Sequence, residues 1–240
     1  CIRDSKETLA PIWHAKAESA EKALNRINVA MRHAAALGLS VDLQTTMKAK
    51  ALLGKQRRTK THIPSMPYAE VPAFYKWLEE QELVSAKALQ FLILTVARTS
   101  EVRLAVSGEF EAGVWNLPES RTKTGMARRV PLVEEAARVI CARKQETDSS
   151  FLFPTYRGQP LSDAAMATLM KRQGLEARPH GFRASFRTWV EEQTDAPFEV
   201  KEACLGHVVD TEAVGAYQRS DRLEKRRALL QRWERFVLAQ

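Results

Sequence analysis

A chain of 240 residues, 45% of them hydrophobic, can bury one good core, or a main domain of about 170 residues beside a smaller appendage. Lysine and arginine outnumber aspartate and glutamate by 37 to 29, a formal charge of +8, which favours a polyanionic partner over a small neutral ligand, although a merely solvated basic surface is also common. The longest apolar run, ALQFLILTVA, is about half a membrane span, and the charged start CIRDSKETLAPIW has no signal-peptide core, so neither membrane insertion nor secretion is expected. Cys1, Cys141 and Cys204 are too few and too scattered for a disulfide framework, which suits a reducing compartment such as the cytoplasm. The start on Cys rather than Met leads us to expect an excerpt or processed form whose N-terminal module is missing.

In AESAEKALNRINVAMRHAAALG, Leu24, Ile27, Met31 and Ala34 recur at helical spacing and Gly38 sits where a left-handed cap would end the helix. A short helix follows near TTMKAKALL. Residues 1–53 thus read as a small helical piece. GKQRRTKTHIPSMP, residues 54–67, mixes basic residues, Gly and Pro without periodicity and reads as a linker, one that could also track a phosphate backbone. A larger domain, residues 68–240, opens with the helices VPAFYKWLEEQ and SAKALQFLILTVAR, their starts marked by Pro72 and Ser85, each expected to bury one face. The β-favouring stretches EFEAGVWNLP and ARRVPL flank the turn ESRTKTGM and predict a short hairpin. Beyond it VEEAARVICARK, SDAAMATLMKRQG, FRASFRTWVEEQ, FEVKEACLG and DRLEKRRALLQRWERFVLA each carry an apolar stripe of helical period. The expected fold is therefore mainly α with a small antiparallel β-sheet or hairpin.

Four places concentrate chemistry. Within RPHGFRASFRTWV, Phe182, Phe186, Trp189 and Val190 form a core face, while His180 and Arg183, three apart, can converge at a helix start that already favours anions. A surface arginine beside a capping histidine accounts for those residues about as well. In LTVARTSEVRLA, Arg98 closes an apolar helix, and Glu101 either caps the next turn or holds an arginine by a bidentate bond. Lys123 projects from the turn RTKTG, where a lysine is usually just solvated. Finally, in CLGHVVDTEAVGAYQRSDR, His207 follows Gly206 at a helix end and Tyr217 lies ten residues on. Cys204 and His207 make a weak zinc pair, since no second pair stands at ligand spacing, and no phosphate-binding Walker loop or HExxH occurs.

Taken in this order, ARTSEVR, RTKTG, HGFR, LGH and AYQRSDRLEKRR resemble the tyrosine recombinases, the phage integrase family, and within it the prophage and genomic-island branch. The resemblance spans roughly residues 65–240, and the helical piece before it is similar to the tail of that family's core-binding domain, shortened at the front and without the branch's arm-binding module. By that resemblance Arg98 and Arg183 are the phosphate-binding arginines, Lys123 the hairpin lysine, His180 and His207 the two histidines, Tyr217 the nucleophile and Glu101 the support of the first arginine. No cofactor and no metal is implied, because two planar guanidiniums can each donate paired hydrogen bonds to a phosphate that gains charge. The phenol, with an ordinary pKa of about 10, loses its proton to His180; His207 bonds the phosphate; Lys123 protonates the departing 5′-hydroxyl. A 3′-phosphotyrosyl link results.

The resemblance implies double-stranded DNA as partner, self-association as a synaptic tetramer, room for DNA-bending accessory proteins, no membrane, and a cytoplasmic, nucleoid-associated location in a prokaryote. Two other readings stand beside site-specific recombination. One is a type IB topoisomerase-like enzyme that nicks and reseals a single duplex; the other is a DNA-binding regulator that has kept the fold and lost the reaction. Against the first stands a stripe of Leu223, Leu230, Trp233 and Val237 after the tyrosine, able to dock on a neighbouring protomer or to fold back in cis.

Overall fold

A computed structural model describes residues 2–57, 64–207 and 221–239. The chain divides into two compact units, Cys1–His62 and Ile63–Gln240. The first holds helices α1 (Ile2–Leu9), α2 (Ala17–Ala36) and α3 (Thr45–Leu53). Leu9, Trp13, Ala20 and Leu24 make its core, and the Trp13 indole donates to Gly54 O at 2.9 Å, fastening the end of α3. Helix α1 was not expected from its charged sequence; its one fully buried side chain is Leu9. The stripe read along α2 fades: Leu24 is buried, whereas Ile27, Met31 and Ala34 are half-buried.

In the second unit, helices α4 (Val71–Glu79), α5 (Val84–Thr95) and α6 (Thr99–Arg103) precede a three-stranded sheet. Helices α7 (Glu134–Glu146), α8 (Ala165–Arg172), α9 (Phe182–Gln193), α10 (Phe198–Cys204) and α11 (Leu223–Leu238) follow. Helix α5 was expected to bury one face, but every residue from Ala88 to Thr95 is buried, with α4, α7, α8 and α11 packed around it. Its unbroken apolar run is what a helix enclosed on all sides requires. The antiparallel sheet runs β1 (Phe110–Glu111), β2 (Val114–Leu117), β3 (Arg128–Pro131), with Trp115 opposite both Phe110 and Val130. EFEAGVWNLP is therefore two strands rather than one. Ala112 and Gly113, at φ 47 and 71, make the two-residue turn whose handedness matches strand twist.

Phe182, Phe186, Trp189 and Val190 are buried along α9, as their spacing predicted. Helix α11 folds back in cis: Leu230, Trp233 and Val237 are buried, and the Trp233 indole donates to Ile93 O at 2.8 Å on α5. The stripe on this helix is thus satisfied within its own unit. Much of the basic charge around it is satisfied there too, since Arg226 donates to Arg129 O at 2.6 Å and Arg227 to Leu132 O at 3.0 Å.

Candidate active site

Helix α5 ends at Val96, a β-branched residue held at φ 47, a conformation that costs energy without a glycine and persists only where surroundings impose it. Two residues later Arg98 is extended, at φ −78 and ψ 150, and heads α6. Arg98 thus lies beyond the helix it was expected to close, because the left-handed turn at Val96 stops that helix first. Glu101, 1% exposed, accepts three bonds. Its Oε2 receives Arg98 N at 2.8 Å and Arg128 Nη1 at 3.1 Å, and its Oε1 receives Arg98 Nη1 at 2.8 Å. Glu101 thus caps α6 and also holds an arginine, through one guanidinium bond rather than the bidentate pair expected, with a second arginine added.

The other wall is the end of α10. A helix leaves its last carbonyls without intrahelical partners and partly negative. Here three successive carbonyls are taken by three guanidiniums. Cys204 O accepts Arg128 Nη2, Leu205 O accepts Arg183 Nη2, and Gly206 O accepts Arg98 Nη2 at 3.1 Å. Arg183, 5% exposed, also donates through Nη1 to Val96 O at 2.7 Å. A guanidinium has five donors in a planar fork, so both Arg98 and Arg183 keep N–H groups beyond those that fix them. Gly206 has φ +61, and a Cβ there would fall 2.8 Å from the Arg128 guanidinium.

His207 completes this side. Its Nε2 lies 3.1 Å from Arg183 Nη2, and its Nδ1 lies 2.6 Å from Glu202 Oε2. Glu202, 6% exposed, also faces Arg187 Nη2 at 3.3 Å. The carboxylate fixes the ring orientation and leaves Nε2 on the arginine side, the arrangement by which an acidic partner sets a histidine's working nitrogen.

His180 sits exposed in a short turn, Pro179–Gly181, just ahead of α9. Glycine is needed next to it, since a Cβ on residue 181 would come within 2.6 Å of Pro64 O. Partial burial, and then the nearby Arg183, Arg98, Lys123 and His207, lower the pKa of His180. Burial first, and then Arg98 and Arg128, bring Arg183 down to about 10. Burial is also the main cause that lowers Arg128, against the pull of Glu101. Lys123 stands exposed on the loop between β2 and β3.

Arg98, Arg183 and His207 are thus joined through one backbone run, residues 205–207, with Glu101 behind Arg98. His180 and Lys123 lie near enough for their charges to be felt. Tyr217 lies outside the described residues. Arg178, the first residue of RPHGFR, turns back onto the carbonyls of Glu176 and Ala177, at 2.7 and 3.3 Å. Sequence reasoning missed Arg128 and Glu202. The first could have been found as a charged residue on a half-buried strand, the second as a carboxylate five residues ahead of a histidine across a helix end. Among the described residues no group of three or more His, Cys, Asp or Glu side chains is arranged to hold a metal ion, and no helix is long and apolar enough to cross a membrane.

Two fixed guanidiniums and a histidine form an arrangement that can hold a tetrahedral oxyanion. The model of the phage integrase family matches residues 64–224. Prophage integrase IntZ of Escherichia coli (strain K12) is 31% identical over 96% of this chain and 56% of its own length. Prophage integrase IntA of the same strain is 29% identical over 92% of this chain and 55% of its own. The chain therefore spans about half the length of these curated relatives. A lambda integrase dimer bound to a COC′ core site superposes with a TM-score of 0.67 at 19% identity, covering 92% of this chain and 65% of that one, a likeness of fold.

Proposed function

Because this chain belongs to the phage integrase family, we propose that it serves site-specific DNA recombination, cutting and rejoining DNA through a 3′-phosphotyrosyl intermediate. The observation that carries the reading is the attachment of Arg98 and Arg183 to adjacent carbonyls, Gly206 O and Leu205 O, with His207 Nε2 alongside. Such pre-fixed cations lower the cost of the charge that builds on a phosphate's nonbridging oxygens during in-line attack.

The phenolate oxygen of Tyr217 forms a bond to phosphorus as the bond from phosphorus to the 5′-oxygen breaks. The phenol proton passes to His180, whose lowered pKa keeps the imidazole neutral and able to accept it. The departing 5′-oxygen takes a proton from Lys123. Arg98, Arg183 and His207 bond the nonbridging oxygens. The phosphotyrosyl bond keeps the energy of the phosphodiester, so a 5′-hydroxyl of a partner duplex reverses the step without an external energy source. Exchange of both strands between two duplexes needs four cleavages, which supports assembly as a synaptic tetramer on double-stranded DNA. Residues 1–53 would be the tail of a core-binding domain, residues 54–67 a basic connection and residues 68–240 the catalytic domain. DNA-bending accessory proteins, and a cytoplasmic place beside the nucleoid, belong to the same reading.

The test is covalent capture. A pool of nicked duplexes with random sequence around the nick is incubated with the protein, and DNA that stays attached after denaturation is recovered. Attachment that disappears in Tyr217→Phe is the expected result. DNA binding with no attachment supports the regulator and overturns the proposal. Relaxation of supercoiled DNA with no exchange between two captured duplexes favours the topoisomerase-like reading instead.

A further inference from the structure

A lysine that gives a proton to a leaving group must be held within hydrogen-bond reach of it, yet Lys123 is a flexible side chain on an exposed loop. The loop is nonetheless built. Thr122 Oγ1 donates to Met126 O at 2.7 Å and accepts from Met126 N at 3.1 Å, closing a ring of five residues with Lys123 inside it. On either side of that ring an arginine turns inward. Arg121 donates through Nη2 to Glu101 O and through Nη1 to Glu109 Oε1. Glu109 is 8% exposed and is held in turn by the Trp115 indole at 2.8 Å. Arg128 donates through Nη1 to Glu101 Oε2 at 3.1 Å and through Nη2 to Cys204 O. Both ends of the lysine loop therefore grip one residue, Glu101, by its backbone carbonyl and its carboxylate, and the same carboxylate holds Arg98.

We propose that Arg121 and Arg128 are positioning residues that lock the Lys123 loop to Glu101, so that the proton donor and the phosphate-binding Arg98 are set by one anchor. This rests on the reading of Lys123 as general acid. Stability alone does not ask for arginine at these two places: burying a charge has a desolvation cost that well-packed apolar side chains of similar volume avoid. What arginine adds is direction, because a planar fork can hold two acceptors at a fixed angle.

The proposal is tested on a duplex recovered by covalent capture, made in two forms. One has the natural 5′-oxygen at the cleaved bond; the other has sulfur there, which leaves as a thiolate and needs little help from an acid, since thiols ionise near pKa 8.5. Arg121→Gln, Arg121→Lys, Arg128→Gln and Lys123→Ala are compared with Arg143→Gln. Arg143 is a buried arginine bonded to Leu152 O and Glu146 that serves as a purely structural control. The ratio of the two cleavage rates on one protein preparation does not depend on how much of it is folded. Loss of an acid contributes about 10²-fold or more, so Lys123→Ala should slow the oxygen substrate by that factor and recover on sulfur.

The Arg121 and Arg128 variants should slow the oxygen substrate about 10- to 100-fold and recover in part on sulfur, the loss that remains being the share that runs through Glu101 to Arg98. Arg143→Gln should change both rates alike. Recovery in Lys123→Ala but not in the Arg121 and Arg128 variants overturns the anchor and leaves the acid role standing. Unchanged cleavage of the oxygen substrate by the arginine variants overturns it equally. No recovery in Lys123→Ala removes the acid role, and the anchor with it.

Discussion

Arg183 reaches the carbonyl of Val96 at 2.7 Å, the residue whose left-handed backbone at φ 47 ends α5. The strained residue joins the two halves of the phosphate site, since the chain leaving it is the one that delivers Arg98. Arg183→Lys keeps the charge but cannot span Val96 O and Leu205 O together. A buried carbonyl left without a donor costs about 1–3 kcal/mol. We expect a lowered urea midpoint with unchanged slope, together with a cleavage loss of about 100-fold or more, read by single-turnover capture.

The pH dependence follows from His180. Its pKa is lowered by partial burial and by Arg183, Arg98, Lys123 and His207, so the neutral, proton-accepting form persists below the usual imidazole value of about 6.5. The acid limb of the cleavage rate should therefore lie below that pH, with a flat profile through it. His180→Gln should lose the limb along with most of the rate. A wild-type limb centred at or above the ordinary imidazole value would contradict the burial of the ring and the placement of Arg183, Arg98 and Lys123 near it.

Helices with a clear stripe were legible in the sequence, and α9 is the best case, because Phe182, Phe186, Trp189 and Val190 fix both its period and its buried face. The turn at Ala112 and Gly113 was hidden, since alanine at positive φ carries none of the Asn-Gly or Asp-Gly signal that announces such turns. Within the site, residue types with intrinsic chemistry stood out, whereas the partners that hold them did not. Arg128 finds Cys204 O across 76 positions of sequence, and a backbone carbonyl has no letter of its own. The cis packing of α11 was equally open beforehand, because a stripe such as Leu230, Trp233 and Val237 does not say whose surface it meets; here it meets α5.

Cys204 gives a chemical readout of the α10 end. It is 2% exposed, and burial pushes its thiol up to about 12, although Arg226 and Arg128 pull the other way. The thiolate is the reactive form, so iodoacetamide at neutral pH should leave Cys204 unmodified in the native protein while Cys141, which is exposed, is alkylated. Mass spectrometry of the peptides distinguishes them. Rapid modification of Cys204 without denaturant would mean that the end of α10 opens and that the arginine anchorage is not continuous.

Gly206→Ala tests the meeting of α10 with Arg128 directly. The backbone there is at φ +61, and the new methyl would lie 2.8 Å from a guanidinium that Glu101 and Cys204 O already fix. An L-residue in the left-handed region costs roughly 1–2 kcal/mol by itself, and displacement of the guanidinium adds to that by loosening Glu101. Arg128→Ala should relieve the clash but not the backbone term, so the double variant should be less destabilised than the sum of the single ones. Two residues in contact couple by about 0.5–3 kcal/mol, within reach of urea unfolding. Strict additivity would mean that the two do not touch, and the carbonyl of Gly206 would then have to be held toward Arg98 by something other than the packing described.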